Sequence, residues 1–172
     1  KRQFQDRLPG VDHDSVLAID DVLDGAECGK RVLVLDDLGN WKGVGTVLYL
    51  AERNHEVTIA TRHPMVAPEL VRTAATAPLV RRMAELKIEQ LVETVTLSWD
   101  GGSATLKSNL DASVVERTFD TLVLATVNRP VRDLHDTLEE DEGFDLHMIG
   151  DSLGARRASA AIYEGRKLAL EL

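Results

Sequence analysis

Residues 31–45, RVLVLDDLGNWKGVG, constrain the fold more than any other part of the sequence. Residues 32–35 form a continuous apolar run, the pattern of a short strand covered on both faces in a parallel sheet. A polar loop carrying Asp36, Asp37 and Gly39 follows. Beyond it Val44, Val47, Leu48 and Ala51 recur at i, i+3, i+4 and i+7, which makes one helical face apolar. RNHE ends that helix, and residues 56–61, EVTIAT, are the β-branched run of a next strand. Such a unit joins parallel strands through a right-handed crossover.

Pro64 and Pro68 mark a loop. Residues 76–88, TAPLVRRMAELKI, then give a second amphipathic helix with Leu79, Met83 and Leu86 near helical spacing. The character changes at LVETVTLSW, SATLKS and ASVVERTF, three short strand candidates, the first two joined by DGG, a hairpin turn signal. They predict an antiparallel meander. Residues 120–126, DTLVLAT, return to the buried strand type, and FDLHMIGD, residues 144–151, is a last strand candidate. The acidic run 139–142 reads as a solvated loop. In the closing helix, Ala158, Ala161, Ile162, Gly165, Leu168, Ala169 and Leu172 share one stripe, whose small residues suggest close packing on a sheet. The fold class is therefore α/β, a Rossmann-like three-layer parallel sheet with helices on both sides and an antiparallel β-meander.

Composition narrows the function. At 172 residues the chain fits one domain, or one domain and part of another. Twenty Lys and Arg against 29 Asp and Glu leave a net charge of -9, which speaks against a nucleic-acid partner. The single cysteine, Cys28, excludes an internal disulfide and any multi-cysteine metal site built from this chain alone. No apolar run approaches a membrane span, so a soluble, cytoplasmic protein is expected. The five histidines show no metal-ligand spacing, and no serine sits in a nucleophile elbow. No catalytic residue and no metal site are read. KRQFQDRLPG has neither an initiator methionine nor the apolar core of a signal peptide, which points to a piece of a longer chain.

A dinucleotide fingerprint, G-x-G-x-x-G directly after the first strand, uses its glycines for a tight turn, for approach to the pyrophosphate and for helix–strand packing. Here Gly39, Gly43 and Gly45 come late, spaced G-x-x-x-G-x-G, and Asp36 and Asp37 stand where the anion is expected. A helix N-terminus favours an anion, and either aspartate is a candidate for that place as a helix-end carboxylate. One like-charge contact at 4 Å costs about 4 kcal/mol at an effective dielectric near 20, against about 8 kcal/mol for micromolar affinity. Trp41 adds bulk, and Lys42 offers partial compensation. The expectation is a loop that does not take a dinucleotide in the usual way. Arg62, after the second strand, keeps an NADPH site open, since an arginine there accommodates a 2′-phosphate. A phosphoacceptor receiver domain, which also carries an acidic pair, is rejected because no aspartate lies between Asp37 and Asp100.

The order strand, glycine loop, helix, strand, helix, meander, strand resembles the pyridine-nucleotide domain of the glutathione-reductase-like flavoproteins. DTLVLATVNRP is similar to that group's Asp-x-hydrophobic-x-x-Ala-Thr-Gly-x-x-Pro segment, with Val127 in place of the glycine. HMIGDSLGARRASAAIYEGRKLALEL is similar to its terminal Gly-Asp segment and helix. Within the group, residues 8–37 and the last helix resemble the C-terminal dinucleotide-fold region of the trimethylamine dehydrogenase and 2,4-dienoyl-CoA reductase family. The resemblance implies a parent with FMN and a 4Fe–4S cluster on a TIM barrel, and ADP or FAD in a first dinucleotide fold. It implies an NAD(P)-binding-like domain over residues 29–127. Residues 1–28 and 128–172 would belong to the FAD-like neighbour, where Gly150 and Asp151 approach the flavin dinucleotide. The implied partners are the rest of the parent chain, and a nucleotide or a second copy stays open.

Overall fold

A computed structural model of the chain describes residues 8–139, 143 and 145–172. It divides into two compact units, residues 5–126 and residues 127–172 with the first four residues.

In the larger unit, β1 (Val16–Ala18), β2 (Arg31–Asp36), β3 (Glu56–Ala60), β4 (Glu89–Leu91) and β8 (Thr121–Ala125) form one parallel sheet in the order β1-β8-β2-β3-β4. The meander of β5 (Thr94–Trp99), β6 (Ser103–Ser108) and β7 (Val114–Thr118) is a separate antiparallel sheet. LVETVTLSW, read as one strand, is two. Residues 89–91 close the edge of the parallel sheet beside β3. The chain then turns at Glu93, whose φ is +46, and leaves in the meander. The segment before residue 29 supplies β1, paired with β8, and the short helix α1 (Ile19–Leu23).

Side-chain alternation sorts the sheet's two faces. Val32 and Val34 pack with α2 (Trp41–Ala51) and α3 (Thr76–Glu85) through Val44, Val47, Leu50, Leu79 and Met83. Leu33 and Leu35 point the other way, into a cluster with Trp99, Ala104, Leu106 and Phe119 of the meander and its exit. The expectation of helices on both sides is corrected here: among the described residues of this unit, helices cover one face and the meander the other. The three layers are helix, parallel sheet and meander. The physical reason is economy of apolar surface, because the inward residues of β5 and β6 already bury the second face.

The smaller unit holds α4 (Asp133–Leu138), a single 3₁₀ turn at Gly150–Ser152 and the helix α5 (Ala158–Glu171). Residues 145–149 form no strand, and Phe144 lies outside the described residues, so FDLHMIGD is not a strand here. A strand needs neighbours for its backbone groups. The small-residue stripe of α5 meets the 3₁₀ turn instead. A Cβ on Gly150 would lie 3.3 Å from that of Ala161, and one on Gly165 would lie 3.7 Å from Ile149 Cδ1. The acidic run 139–142 falls outside the described residues except for Glu139. Among the described residues, no helix is long and apolar enough to cross a membrane.

Candidate functional site

In open α/β sheets, ligands collect beyond the carboxyl ends of strands, where the strand order reverses. Here that point is the end of β2, which runs between β3 and β8 and is in register with both. Asp36 closes the strand opposite Ala125, and the Asp37 amide continues the ladder to the Ala125 carbonyl at 3.0 Å.

Asp36 is fully buried. Its Oδ1 accepts the backbone N–H groups of Leu38 and Gly39, both at 3.1 Å. Its Oδ2 is buried and has no hydrogen-bond partner among the described residues. Burial pushes the Asp36 carboxyl above the ordinary carboxylate range. The two amides and His63 pull it down, and Asp37 adds to the upward push. Gly43 explains how the carboxyl fits: a Cβ there would stand 2.5 Å from Oδ1 and 2.7 Å from Cγ. The glycine of the first turn of α2 leaves room for this chain's own aspartate.

Of the two candidate aspartates, Asp36 takes the loop amides, but neither is the helix cap. Asn40 is the N-cap, its side chain accepting from the Lys42 amide at 2.9 Å, while Asp36 holds the loop in front of it. A lone Asn before an apolar helical run is the signal that could have found this cap.

The other expected residues fall into three places. Gly39 has φ +61, and a Cβ on it would come within 2.9 Å of Pro68 and 3.3 Å of His63. Its carbonyl also accepts the Glu69 amide at 3.0 Å. The segment after β3 thus lies over the glycine, a covering that sequence spacing does not announce. Arg62 reaches the same strand end, where its Nε donates to Asp37 Oδ1 at 3.1 Å. Gly45 has open space where its side chain would be, so nothing requires a glycine there. Lys42 pairs with Asp20 of α1 at 3.2 Å, and Trp41 is exposed.

Gly150 and Asp151 belong to the smaller unit. The Gly150 amide donates to Glu164 of α5 at 2.8 Å, and Glu164 also pairs with Arg156 at 2.6 Å. Asp151 accepts from the Arg156 amide at 3.4 Å. His135, Asp136 and Glu139 bring three potential metal-ligand atoms close together. Asp136 and Glu139 are exposed, and Arg132 lies 3.7 Å from Asp136. Cys28 is half-buried, and burial raises its thiol pKa, which disfavours the reactive thiolate.

No protein-family model matches the chain. The solved structure of 6-hydroxypseudooxynicotine amine oxidase from Pseudomonas geniculata N1 matches with a TM-score of 0.84 and 30% identity, over 96% of this chain and 26% of that one. The resemblance to the trimethylamine dehydrogenase and 2,4-dienoyl-CoA reductase family is borne out. Histamine dehydrogenase from Rhizobium sp. 4-9 matches with a TM-score of 0.82 over 92% of this chain and 24% of its own, at 18% identity. At that identity the likeness speaks for the fold alone. A curated relative, the probable N-methylproline demethylase of Rhizobium meliloti (strain 1021), is 28% identical over 86% of this chain and 26% of its own length. This chain spans about a quarter of the length of each of these three relatives.

Proposed function

We propose that this chain is the nucleotide-fold portion of a larger flavin-dependent oxidoreductase resembling the amine dehydrogenases, and that its 36–45 loop takes no dinucleotide in the usual manner. One observation carries the second half. The Asp36 side chain accepts the Leu38 and Gly39 amides, which are the kind of donors a pyrophosphate uses at such a turn. A phosphate would have to displace a fully buried side chain, and it would meet Pro68 and His63 at Gly39. The residues present do not fit a pyrophosphate. In this reading the domain is a scaffold. FMN and the iron–sulfur cluster belong to parts of the parent outside this chain, whose one cysteine is insufficient to hold a cluster. ADP or FAD belongs to an adjoining fold, to which residues 128–172 would bring Gly150 and Asp151. No catalytic residue is assigned.

Arg62 favours a second reading, an NADPH site that delivers hydride to a flavin. It stands just beyond β3, with its side chain 56% exposed. Its bond to Asp37 counts against it, because a 2′-phosphate would have to compete with that carboxylate. Calorimetric titration of the chain with NADPH, NADH and ADP separates the readings. No heat of binding to NADPH or NADH at millimolar nucleotide is expected. Saturable NADPH binding that disappears in Arg62→Ala overturns the scaffold reading.

A further inference from the structure

We propose that Asp36 is a proton-dependent latch on the 36–45 loop: its neutral carboxyl holds the end of β2, the loop and the first turn of α2 together, and its ionisation loosens them. The inference concerns the loop itself and holds whether or not a nucleotide binds.

The geometry places one carboxyl at the junction of three elements. The backbone of Asp36 lies in β2 opposite Ala125. Its Oδ1 accepts the two loop amides. The space occupied by Oδ1 and Oδ2 is the space that a Gly43 side chain would need, with Oδ2 3.1 Å from the position of a Cβ there. Oδ2 is buried and has no donor among the described residues. A neutral carboxyl tolerates one unpaired oxygen at modest cost, whereas a buried carboxylate with half its acceptor capacity unused is far more costly.

Among the described residues, no cation bonds Oδ2. Asp37, on the same strand end, carries like charge and is bonded to Arg62. His63, from the segment after β3, acts in favour of the ionised form, but its Nε2 faces the Asp37 carbonyl at 3.5 Å rather than Oδ2. Lys42 of α2 is drawn to Asp20 of α1. On the β8 side the facing residue is the uncharged Ala125.

The consequence has a definite sign. Burial raises the folded-state pKa above that of the unfolded chain. The latch is therefore fully engaged in and below the ordinary carboxylate range, and it is lost as pH rises through the folded-state value. Ionisation strengthens the two amide bonds but leaves a buried charge with one oxygen unpartnered. Where burial outweighs those bonds, the carboxylate moves toward water and leaves the Leu38 and Gly39 amides.

Hydrogen exchange of the full chain, followed by NMR and corrected for intrinsic base catalysis, tests this. Protection of the Leu38 and Gly39 amides, relative to the buried Val34 amide, is expected to fall as pH rises through the titration. In Asp36→Asn, which keeps the acceptor and cannot ionise, it is expected to stay level. The same pH dependence in both proteins overturns the proposal. Should the variant fail to fold, carbon NMR titration of Asp36 in the unaltered chain decides. A midpoint above the ordinary carboxylate range supports the latch, and a midpoint within or below that range overturns it.

Discussion

At the scale of single residues, the glycines after β2 acquire different meanings. Gly39 is needed for its positive φ and for the nearness of Pro68 and His63. Gly43 is needed because the Asp36 carboxyl lies against it, and Gly45 is not needed for space at all. The Gly43→Ala variant separates these roles. Its new methyl would stand 2.5 Å from Asp36 Oδ1, and Asp36 is too closely held to swing aside. Overpacking of this kind costs about 1–3 kcal/mol. The urea midpoint of the variant is expected to drop accordingly, while Gly45→Ala stays level or rises slightly, as alanine does for glycine inside a helix. Equal midpoints for the two variants would contradict the assignment of Gly43 to the aspartate.

At the scale of elements, the central parallel strands β2 and β8 were legible because burial on both faces leaves an unbroken apolar signature, as in residues 32–35 and 122–125. The three-residue β1 gave no such run. The meander was legible through its DGG turn, where Gly101 takes φ +100. The edge strand β4 was not, because only three residues pair and two of them, Glu89 and Gln90, are exposed. Half of the candidate site was equally hidden. The doubled aspartate could be read, but no spacing rule brings His63, Pro68 and Glu69 onto Gly39 from 24 to 30 residues away. Edge strand β4 also ties the two sheets. Glu89 accepts from both terminal nitrogens of Arg117 on β7, at 2.9 and 2.6 Å, and from Thr58 on β3 at 3.0 Å. The Arg117 bonds hold the Glu89 carboxyl below its ordinary value, with Thr58 adding to the effect and burial opposing it. The stabilisation is therefore present above the unfolded-state pKa and is lost as pH falls through the folded one. Both side chains are partly exposed, so screening keeps the effect small. Glu89→Gln is expected to flatten the acid limb of the stability-against-pH curve and to leave its neutral-to-alkaline shape unchanged. A variant whose acid limb matches that of the unaltered chain would show that the clamp is idle.

At the scale of the whole molecule, the two units differ in what they bury. The larger unit encloses Val32, Leu33, Val34, Ile59, Leu122 and Val123 almost completely, with apolar clusters on both faces of one sheet. In the smaller unit, α5 has no buried residue, and Ile162, Leu170 and Leu172 are each more than 70% exposed. Helical hydrogen bonds alone hold a 14-residue helix only marginally in water, and local opening is easiest where few apolar contacts must break. Glu164, which joins Arg156 and the Gly150 amide, fixes the first half of α5. Beyond it, among the described residues, the side-chain tie is the Lys167–Glu171 pair at 3.8 Å. The expected exchange pattern is therefore graded. Amides of β2 and β8 exchange only through global unfolding, those of residues 161–165 exchange faster, and those of residues 168–171 exchange fastest. Hydrogen exchange resolved by residue checks this, with a gap of at least about 2 kcal/mol between the β2 amides and the last turn of α5. Uniform protection across both units would mean that α5 is held by contacts its exposed residues do not reveal.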